Sequence, residues 1–258
     1  MSEVVHYQVA GAVATITMDS PGNRNALSAA MRAQLRDALA RAGDDANARV
    51  VVLTHTGPVF CAGMDLKETA AAAAGSEGVR ELPAILQRIA HSRKPVVARL
   101  AGPARAGGVG IMASCDIVVA VRSATFAFTE VRIGLIPAVI SVPVLARMNQ
   151  VAARELLLTG EVFDADRALS AGLLNAAVEP AELDDVVRRY TDALLAGGPG
   201  ALAGTKALLR SMLDDSDLRY NALLEISAQQ FATDEAREGA RAFAEKRPPD
   251  WRAGDTGG

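Results

Sequence analysis

Cysteine and histidine, the side chains that most often bind metals or build disulfide frameworks, are scarce in this chain. The two cysteines, Cys61 and Cys115, cannot form a disulfide framework or a four-thiolate zinc site. The three histidines, His6, His55 and His91, are widely separated, and each lies next to the end of a predicted strand or helix. We therefore expect no metal site and no histidine-based catalytic triad.

Aromatic residues and long apolar segments are also rare. Aromatic residues make up 4% of the 258 residues, while 50% are hydrophobic and 22% are charged, which is typical of a globular protein with an aliphatic core. No segment approaches the ~18 uninterrupted apolar residues of a membrane-spanning helix, and the first residues lack the features of a signal peptide. A formal charge of -3 provides no basic surplus for nucleic acid or an anionic membrane. We expect a cytoplasmic protein that binds neither.

The common nucleotide-binding and hydrolase motifs are missing as well. The chain contains no GxGxxG, GxxxxGK[ST], HExxH or GxSxG pattern. Dinucleotide-binding, P-loop, zinc-protease and α/β-hydrolase functions therefore lose their main support in the sequence.

Hydrophobic periodicity divides the chain into an alternating α/β part and a helical carboxyl-terminal part. β-branched residues around Gly11 predict a hairpin over residues 4–18, and short apolar runs predict strands over 49–54, 95–100, 116–121 and 125–128. Helical patterns cover residues 28–43, 78–90, 107–114, 151–158, 165–171, 182–196, 200–213 and 218–245. The AGGPG stretch at 196–200 predicts a boundary, and residues 70–75 predict a mobile surface loop.

Two glycine-bearing loops each follow a buried strand. The first spans residues 60–67 and includes Gly63; the second spans 101–110 and includes Gly107 and Gly108. Glycine lets a backbone approach a ligand closely, and a helix amino terminus leaves N–H groups unpaired, so two such groups can form an oxyanion hole. A simpler interpretation is that these glycines only make tight turns, and spacing alone favours it.

Glu130 closes the short strand over residues 125–128 and is followed by an apolar segment. A glutamate in such surroundings is a candidate base with a raised pKa. The alternative is a solvated carboxylate at a strand end, which is the more common case.

Six stretches of the chain, taken together and in order, carry a resemblance to a known family. They are NRNAL at 23–27, FCAGMDLK at 60–67, AGGVG at 106–110 with CDI at 115–117, TEVRIGLIP at 129–137, LLTG at 157–160 and AFAEKRP at 242–248. In this combination the chain resembles the enoyl-CoA hydratase/isomerase (crotonase) superfamily. The resemblance implies an α/β fold, a ββα spiral with two roughly perpendicular sheets. It also implies a core over residues 1–195, a helical part over 196–258 for trimerisation and CoA capping, and a homotrimer or dimer of trimers.

The same resemblance implies an enzyme that acts on acyl-CoA thioesters through an enolate, with coenzyme A as part of the substrate and no separate cofactor. The oxyanion hole would be formed by the backbone N–H groups of Met64 and Gly107, and Glu130 would be the general acid/base. The residues implied in CoA binding are Arg24, Ala26, Ala62, Gly63, Met64, Asp65, Leu66, Lys67, Gly107, Phe243 and Lys246. The last two would reach the nucleotide end, often from a neighbouring subunit.

Two positions depart from the family pattern. Typical hydratases carry a first glutamate where this chain has Gly110, and many relatives have a glycine-rich run where it has AVIS at 138–141. We expect the AVIS segment to be a stiffer loop that makes the floor of the pocket more apolar. A single glutamate suits a Δ3,Δ2-enoyl-CoA isomerase, although hydration stays open. Two further alternatives also stay open. One is a thioester hydrolase or lyase, which needs a second polar group such as Ser141 or Arg105. The other is a non-catalytic acyl-CoA-binding protein. Acyl chain length and pathway are not determined by these residues.

Overall fold

Nine strands form two sheets in the part of the chain that the computed structural model describes, residues 2–65, 67–68, 77–211 and 216–247. The strands are β1 (Val5–Ala10), β2 (Val13–Met18), β3 (Val50–His55), β4 (Val96–Leu100), β5 (Ala104–Arg105), β6 (Ile117–Val121), β7 (Thr125–Ala127), β8 (Phe163–Asp164) and β9 (Ala176–Val178). The larger sheet has the order β1-β2-β3-β4-β6-β9 and the smaller has the order β5-β7-β8. The α/β class is therefore confirmed.

The sequence patterns explain the larger sheet. In β2 every second side chain is buried, because this strand of the antiparallel hairpin with β1 covers the core with one face. All six residues of β3 are buried, because β3 pairs in parallel with β2 and β4 in the middle of the sheet. The predicted hairpin and the strands over 49–54, 95–100 and 116–121 are confirmed to within two residues.

Ten described helices surround the sheets. They are α1 (Ala29–Asp44), α2 (Glu77–Ala90), α3 (Gly107–Ser114), α4 (Ala138–Arg147), α5 (Gln150–Thr159), α6 (Ala165–Ser170), α7 (Leu183–Ala196), α8 (Pro199–Ser211), α9 (Ser216–Phe231) and α10 (Asp234–Glu245). The start of α1 is defined by Ser28, whose hydroxyl accepts a hydrogen bond from the amide of Met31 at 3.2 Å. None of these helices is long and apolar enough to span a membrane.

Two expectations about the helices are corrected by the structure. The single helix predicted over residues 218–245 is wrong: α9 and α10 are separate, because the Thr233 hydroxyl accepts a hydrogen bond from the amide of Ala236 at 3.1 Å and caps a new helix. The AVIS segment is not a loop but the start of α4, which buries Val139 and Ile140. The predicted loop over residues 70–75 lies outside the described residues.

The carboxyl-terminal helices pack onto the α/β part. The Lys206 ammonium in α8 pairs with the Asp116 carboxylate at 2.6 Å, at the start of β6. In α10, a Cβ atom added to Gly239 would lie only 2.2 Å from the carbonyl oxygen of Ile133, so glycine allows this helix to approach the turn after β7. The division at residues 195 and 196 stays a prediction.

Candidate active site

Two loops from the carboxyl ends of β3 and β4 run side by side. The Phe60 amide donates a hydrogen bond to the carbonyl of Pro103, and the Arg105 amide donates to the carbonyl of Cys61, both at 3.0 Å. A Cβ atom on Gly102 would lie 2.1 Å from the carbonyl oxygen of Pro58, so the close approach of the two backbones requires glycine there. This pairing brings the two predicted glycine-bearing loops together.

Asn25 ties a third loop to the first. Its side chain is fully buried, and the amide nitrogen donates to the carbonyls of Thr56 at 3.0 Å and Val59 at 2.7 Å. Its side-chain oxygen accepts a hydrogen bond from the amide of Ser20 at 2.7 Å. Sequence reasoning did not single out this residue; only its place in the NRNAL stretch could have suggested a role.

The amides of Met64 and Gly107 lie in one wall of a cleft. Gly63 has φ +89°, and a Cβ atom on it would lie 3.0 Å from the Cβ of Ala106 and 3.6 Å from the amide nitrogen of Gly107. The Leu27 amide donates to the Gly63 carbonyl at 2.8 Å and fixes the loop. Within the described residues, neither the Met64 nor the Gly107 amide donates a hydrogen bond. Met64 and Gly107, whose amides are predicted to form the oxyanion hole, therefore line the same cleft, and the oxyanion hole itself stays a prediction.

The residue before α3 has a strained backbone. Ala106 has φ 47° and ψ -119°, a conformation that side chains larger than glycine rarely adopt. Its amide donates to the carbonyl of Ala127 in β7 at 3.1 Å, which helps to hold it there. This turn sets the orientation of the Gly107 amide, which is the first amide of α3. Strain of this kind is common where a backbone donor must be pre-oriented.

The cleft is almost entirely hydrocarbon. It contains about 630 Å³ of empty space, including its open mouth. Apolar side chains line it from helices and from the turn after β7; the main ones are Leu82, Ile133, Ile136, Val139, Ile140 and Phe231. Among its described lining side chains, only those of Thr129, Glu130 and Ser227 carry oxygen. A ligand with an apolar chain and a polarisable carbonyl fits this surface.

Glu130 is the only described ionisable side chain that lines the cleft. It lies in the 3₁₀ turn Thr129–Ile133, and its Oε2 atom is buried with no hydrogen-bond partner among the described residues. Burial raises the pKa of this carboxyl to about 7, although a hydrogen bond from its own backbone amide lowers it in part. A carboxyl with this pKa exists in both protonation states near neutral pH and can accept and return a proton.

The structure brings some of the predicted site residues together and leaves others apart. Ala62, Met64, Gly107 and Glu130 line the cleft. Gly110 does not line it, because the Ile140 side chain lies between; a Cβ atom on Gly110 would be 2.6 Å from the Cγ2 atom of Ile140.

The predicted CoA-binding residues lie mostly outside the cleft. Ala26 is buried and does not line it, while the side chain of Arg24 is exposed and its carbonyl accepts a hydrogen bond from the Ala62 amide at 3.1 Å. The Asp65 carboxylate accepts a hydrogen bond from the amide of Lys67 at 3.1 Å, and the Lys67 side chain is exposed.

Three further CoA-binding predictions concern the flanks of this region. Phe243 is 54% exposed and Lys246 is exposed at the end of α10, and neither lines the cleft of this chain. Their predicted contact with the nucleotide end stays a prediction. Leu66 lies outside the described residues.

The polar side chains that share the cleft with Glu130, those of Thr129 and Ser227, are not the ones suggested by sequence. The Ser141 hydroxyl donates to the carbonyl of Ala138 at 2.7 Å, and the Arg105 guanidinium donates to the carbonyls of Ala104 and Thr125. Neither residue lines the cleft. Ser227 does, but it is separated from Glu130 by almost a hundred residues of sequence, and no local pattern marks it.

We expect His55 to make the protein less stable as the pH falls below about 6.5. Its Nε2 atom accepts a hydrogen bond from the Ala101 amide at 3.0 Å, and its Nδ1 atom lies 3.2 Å from the carbonyl of Thr56, an arrangement that needs the neutral ring. Burial and the Arg99 guanidinium lower its pKa. Since the folded state then binds this proton less readily than the unfolded state, stability is lost as the pH falls.

Thermal unfolding from pH 8 to pH 5 measures this effect. The melting temperature of the protein should fall more steeply across this range than that of the His55→Gln variant, in which an amide replaces the ring. Only the difference between the two curves reports the protonation of His55, because all other titrating groups contribute alike to both curves. Parallel curves would show that His55 does not titrate in this way.

Comparisons with known proteins point to one family. The family model described as enoyl-CoA hydratase/isomerase matches residues 8–254. Enoyl-CoA hydratase EchA19 of Mycobacterium tuberculosis is 36% identical over 248 residues, which cover 92% of this chain and 92% of that protein. The crystal structure of an enoyl-CoA hydratase from Mycobacterium avium is 43% identical with a TM-score of 0.87, covering 97% of this chain and 100% of that one.

A more distant structural match is a methylmalonyl-CoA decarboxylase in complex with 2-nitronate-propionyl-CoA. It is 25% identical with a TM-score of 0.85, and the match covers 97% of this chain and 98% of that one. The structural matches confirm the crotonase-like fold. With a family match over nearly the whole sequence, the chain belongs to the enoyl-CoA hydratase/isomerase family.

Proposed function

We propose that this protein is an enzyme that moves a proton on an enoyl-CoA thioester, with Glu130 as its one catalytic carboxyl group. The observation that carries this proposal is the composition of the cleft: a buried carboxyl without a partner and two unpaired backbone amides line one apolar space in the described part of the chain. The family and the resemblance point to the same chemistry.

The thioester oxygen would accept hydrogen bonds from the amides of Met64 and Gly107. As a proton leaves the α carbon, negative charge moves onto this oxygen, and the two donors stabilise it. Losing one donor of this type typically costs about 2.7–4 kcal/mol of barrier. Because the donors belong to the backbone, the Met64 side chain is free to shape the acyl site.

Glu130 would take the proton from the α carbon of a 3-enoyl-CoA. The electron pair moves into the conjugated enolate, and the protonated carboxyl returns the proton to the γ carbon, which gives the 2-enoyl-CoA. One group that accepts and then donates is sufficient for this isomerisation. A pKa near 7 suits both steps at neutral pH.

Hydration requires more of the site. A water molecule must be held, deprotonated and added to C3, and family hydratases divide this work between two glutamates. Here the position of the first is Gly110, and Ile140 fills the space beside it. The proposal therefore favours isomerisation over hydration, with hydratase activity as the second candidate because related sequences carry that name.

The CoA part of the substrate would lie outside the acyl cleft. Arg24, Lys67 and Lys246 are exposed basic residues that could meet its phosphates, and Phe243 could contact the nucleotide end. In a trimer, Phe243 and Lys246 could contact the CoA bound to a neighbouring subunit. These assignments and the trimer are part of the proposal.

Turnover of two substrates tests the function. Purified protein is mixed with crotonyl-CoA or with a 3-enoyl-CoA, and the absorbance of the conjugated thioester is followed. We expect the signal to rise with the 3-enoyl-CoA and to fall slowly, if at all, with crotonyl-CoA. Rapid loss of the crotonyl-CoA signal would make hydration the main activity.

Release of free CoA thiol distinguishes a thioester hydrolase from the proposed enzyme. A thiol reagent can be used on the native protein, because Cys61 and Cys115 are buried and burial raises the pKa of each thiol to about 12. Thiol release without a change in the double bond would contradict the proposal. Absence of all three reactions, with ester binding intact, would indicate a non-catalytic acyl-CoA-binding protein.

A further inference from the structure

Ser227 is a largely buried serine whose hydroxyl group forms no hydrogen bond in the described part of the chain. It lies in α9, is 4% exposed and lines the cleft. Its Oγ atom is not among the fully enclosed unpaired side-chain atoms of the described residues, so the hydroxyl keeps access to the open cleft. A serine inside a helix often donates to the carbonyl one turn earlier, and the Ser227 hydroxyl does not.

The position of α9 is well defined at this point. The Gln230 side chain donates to the carbonyl of Gly134 at 2.6 Å, which holds the helix close to the turn that contains Glu130. Phe231, one helical turn after Ser227, lines the same cleft. Ser227 therefore belongs to a fixed wall of the cleft and faces the same space as Glu130.

A purely hydrocarbon acyl chain would leave this hydroxyl unpaired. When such a chain fills the cleft it displaces water, and most of the other lining groups are apolar. An unpaired buried hydroxyl is costly, and a site with such a group discriminates strongly against ligands that cannot pair with it. An acyl chain with an oxygen at the right place has no such disadvantage.

We infer that Ser227 is a specificity-determining residue that hydrogen-bonds an oxygen atom on the acyl chain, so that the preferred substrates are hydroxy- or oxo-substituted acyl-CoA thioesters. The inference rests on the proposed function, because it assumes that the acyl chain occupies this cleft. It does not require that Glu130 be catalytic.

Binding of saturated esters tests it without turnover. Calorimetry compares butyryl-CoA with 4-hydroxybutyryl-CoA, and hexanoyl-CoA with its 5-hydroxy and 6-hydroxy derivatives. Saturated esters contain no double bond to move, so the result is independent of the catalytic step. We expect at least one hydroxylated ester to bind about five-fold or more tightly than its parent, the lower end of the range for an unpaired buried hydroxyl.

Two variants identify the source of this preference. Ser227→Ala should abolish the preference, either by weakening binding of the hydroxylated ester or by strengthening binding of the parent ester. Ser227→Thr keeps the hydroxyl and should retain the preference. Ser141→Ala is the matched control, because Ser141 is a helical serine that does not line the cleft and whose hydroxyl donates to the Ala138 carbonyl. It should leave the affinity ratio unchanged.

The outcomes are distinguishable from failure of the proposed function. Equal affinities for all parents and derivatives would overturn the inference, as would a preference that survives in Ser227→Ala. If no CoA ester binds at all, the proposed function and the inference both fail. Binding with the Ser227-dependent preference, but without turnover of any enoyl-CoA, would support the inference and contradict the proposed catalysis.

Discussion

Replacing Glu130 with glutamine should reduce the rate of proton transfer by about 10²–10⁴-fold, the usual contribution of a positioned general acid/base. The amide has nearly the same shape as the carboxyl but cannot accept the proton. Binding of a saturated CoA ester should change by no more than a few-fold, because the oxyanion donors and the apolar walls are unaltered. Steady-state kinetics with a 3-enoyl-CoA and calorimetry with butyryl-CoA measure the two effects.

The pH dependence gives this prediction a second, independent readout. Because burial raises the pKa of Glu130 to about 7, the rate should fall as the pH drops below that value and the carboxylate is protonated. The raised pKa also means that the folded state binds this proton more tightly than the unfolded state. The stability it confers is present below about pH 4.5 and is lost as the pH rises through 7.

The glutamine variant removes this loss of stability at high pH. The melting temperature of the variant minus that of the original protein should therefore increase from pH 5 to pH 8. Activity above about a tenth of the original would show that another group transfers the proton. A constant difference in melting temperature would show that the carboxyl is not buried as described.

The second large effect concerns Gly110 and Ile140 as a pair. Gly110→Glu alone should destabilise the protein by about 1–3 kcal/mol, the usual cost of inserting a side chain into a filled space. The new Cβ atom would lie 2.6 Å from Cγ2 and 3.1 Å from Cβ of Ile140. Combining it with Ile140→Gly removes both of these atoms and opens a path from position 110 into the cleft.

We expect the double variant to hydrate crotonyl-CoA at least about ten-fold faster than the original protein, relative to isomerisation. A second carboxylate can hold and activate water, a contribution of about 10²–10⁴-fold when well positioned. The combination Gly110→Gln with Ile140→Gly is the matched control, with the same size and no carboxylate.

Two measurements decide the outcome for this pair. Thermal unfolding should show that the double variant loses less stability than the sum of the losses in Gly110→Glu and Ile140→Gly, since residues in contact do not act additively. An unchanged ratio of hydration to isomerisation in a folded double variant would show that position 110 does not face the acyl cleft.

Local sequence patterns were sufficient for much of the fold, while the roles of the candidate catalytic residues came from the resemblance of six stretches to a known family. The continuous apolar run of β3 follows from burial of both its faces, and the alternation in β2 follows from burial of one face. The glycine-bearing loops and Glu130 were recognisable because turns, close approaches and strand ends leave local signals.

The lining of the cleft was decided by tertiary structure. The sequence suggested a loop at Ile140, yet this residue lies in α4 and fills the space beside Gly110. Ser227 and Phe231 come from a helix far along the chain, in a region where the sequence pattern predicted one continuous helix.

The difference has a physical reason. Periodicity and turn chemistry act between residues a few positions apart, so the sequence by itself determined the α/β class, the glycine-bearing loops and the candidate base. The space available beside Gly110 and the unpaired state of Ser227 depend on how distant elements pack. Only the tertiary structure decided which side chains share the cleft with Glu130, and hence which substrates we expect it to accept.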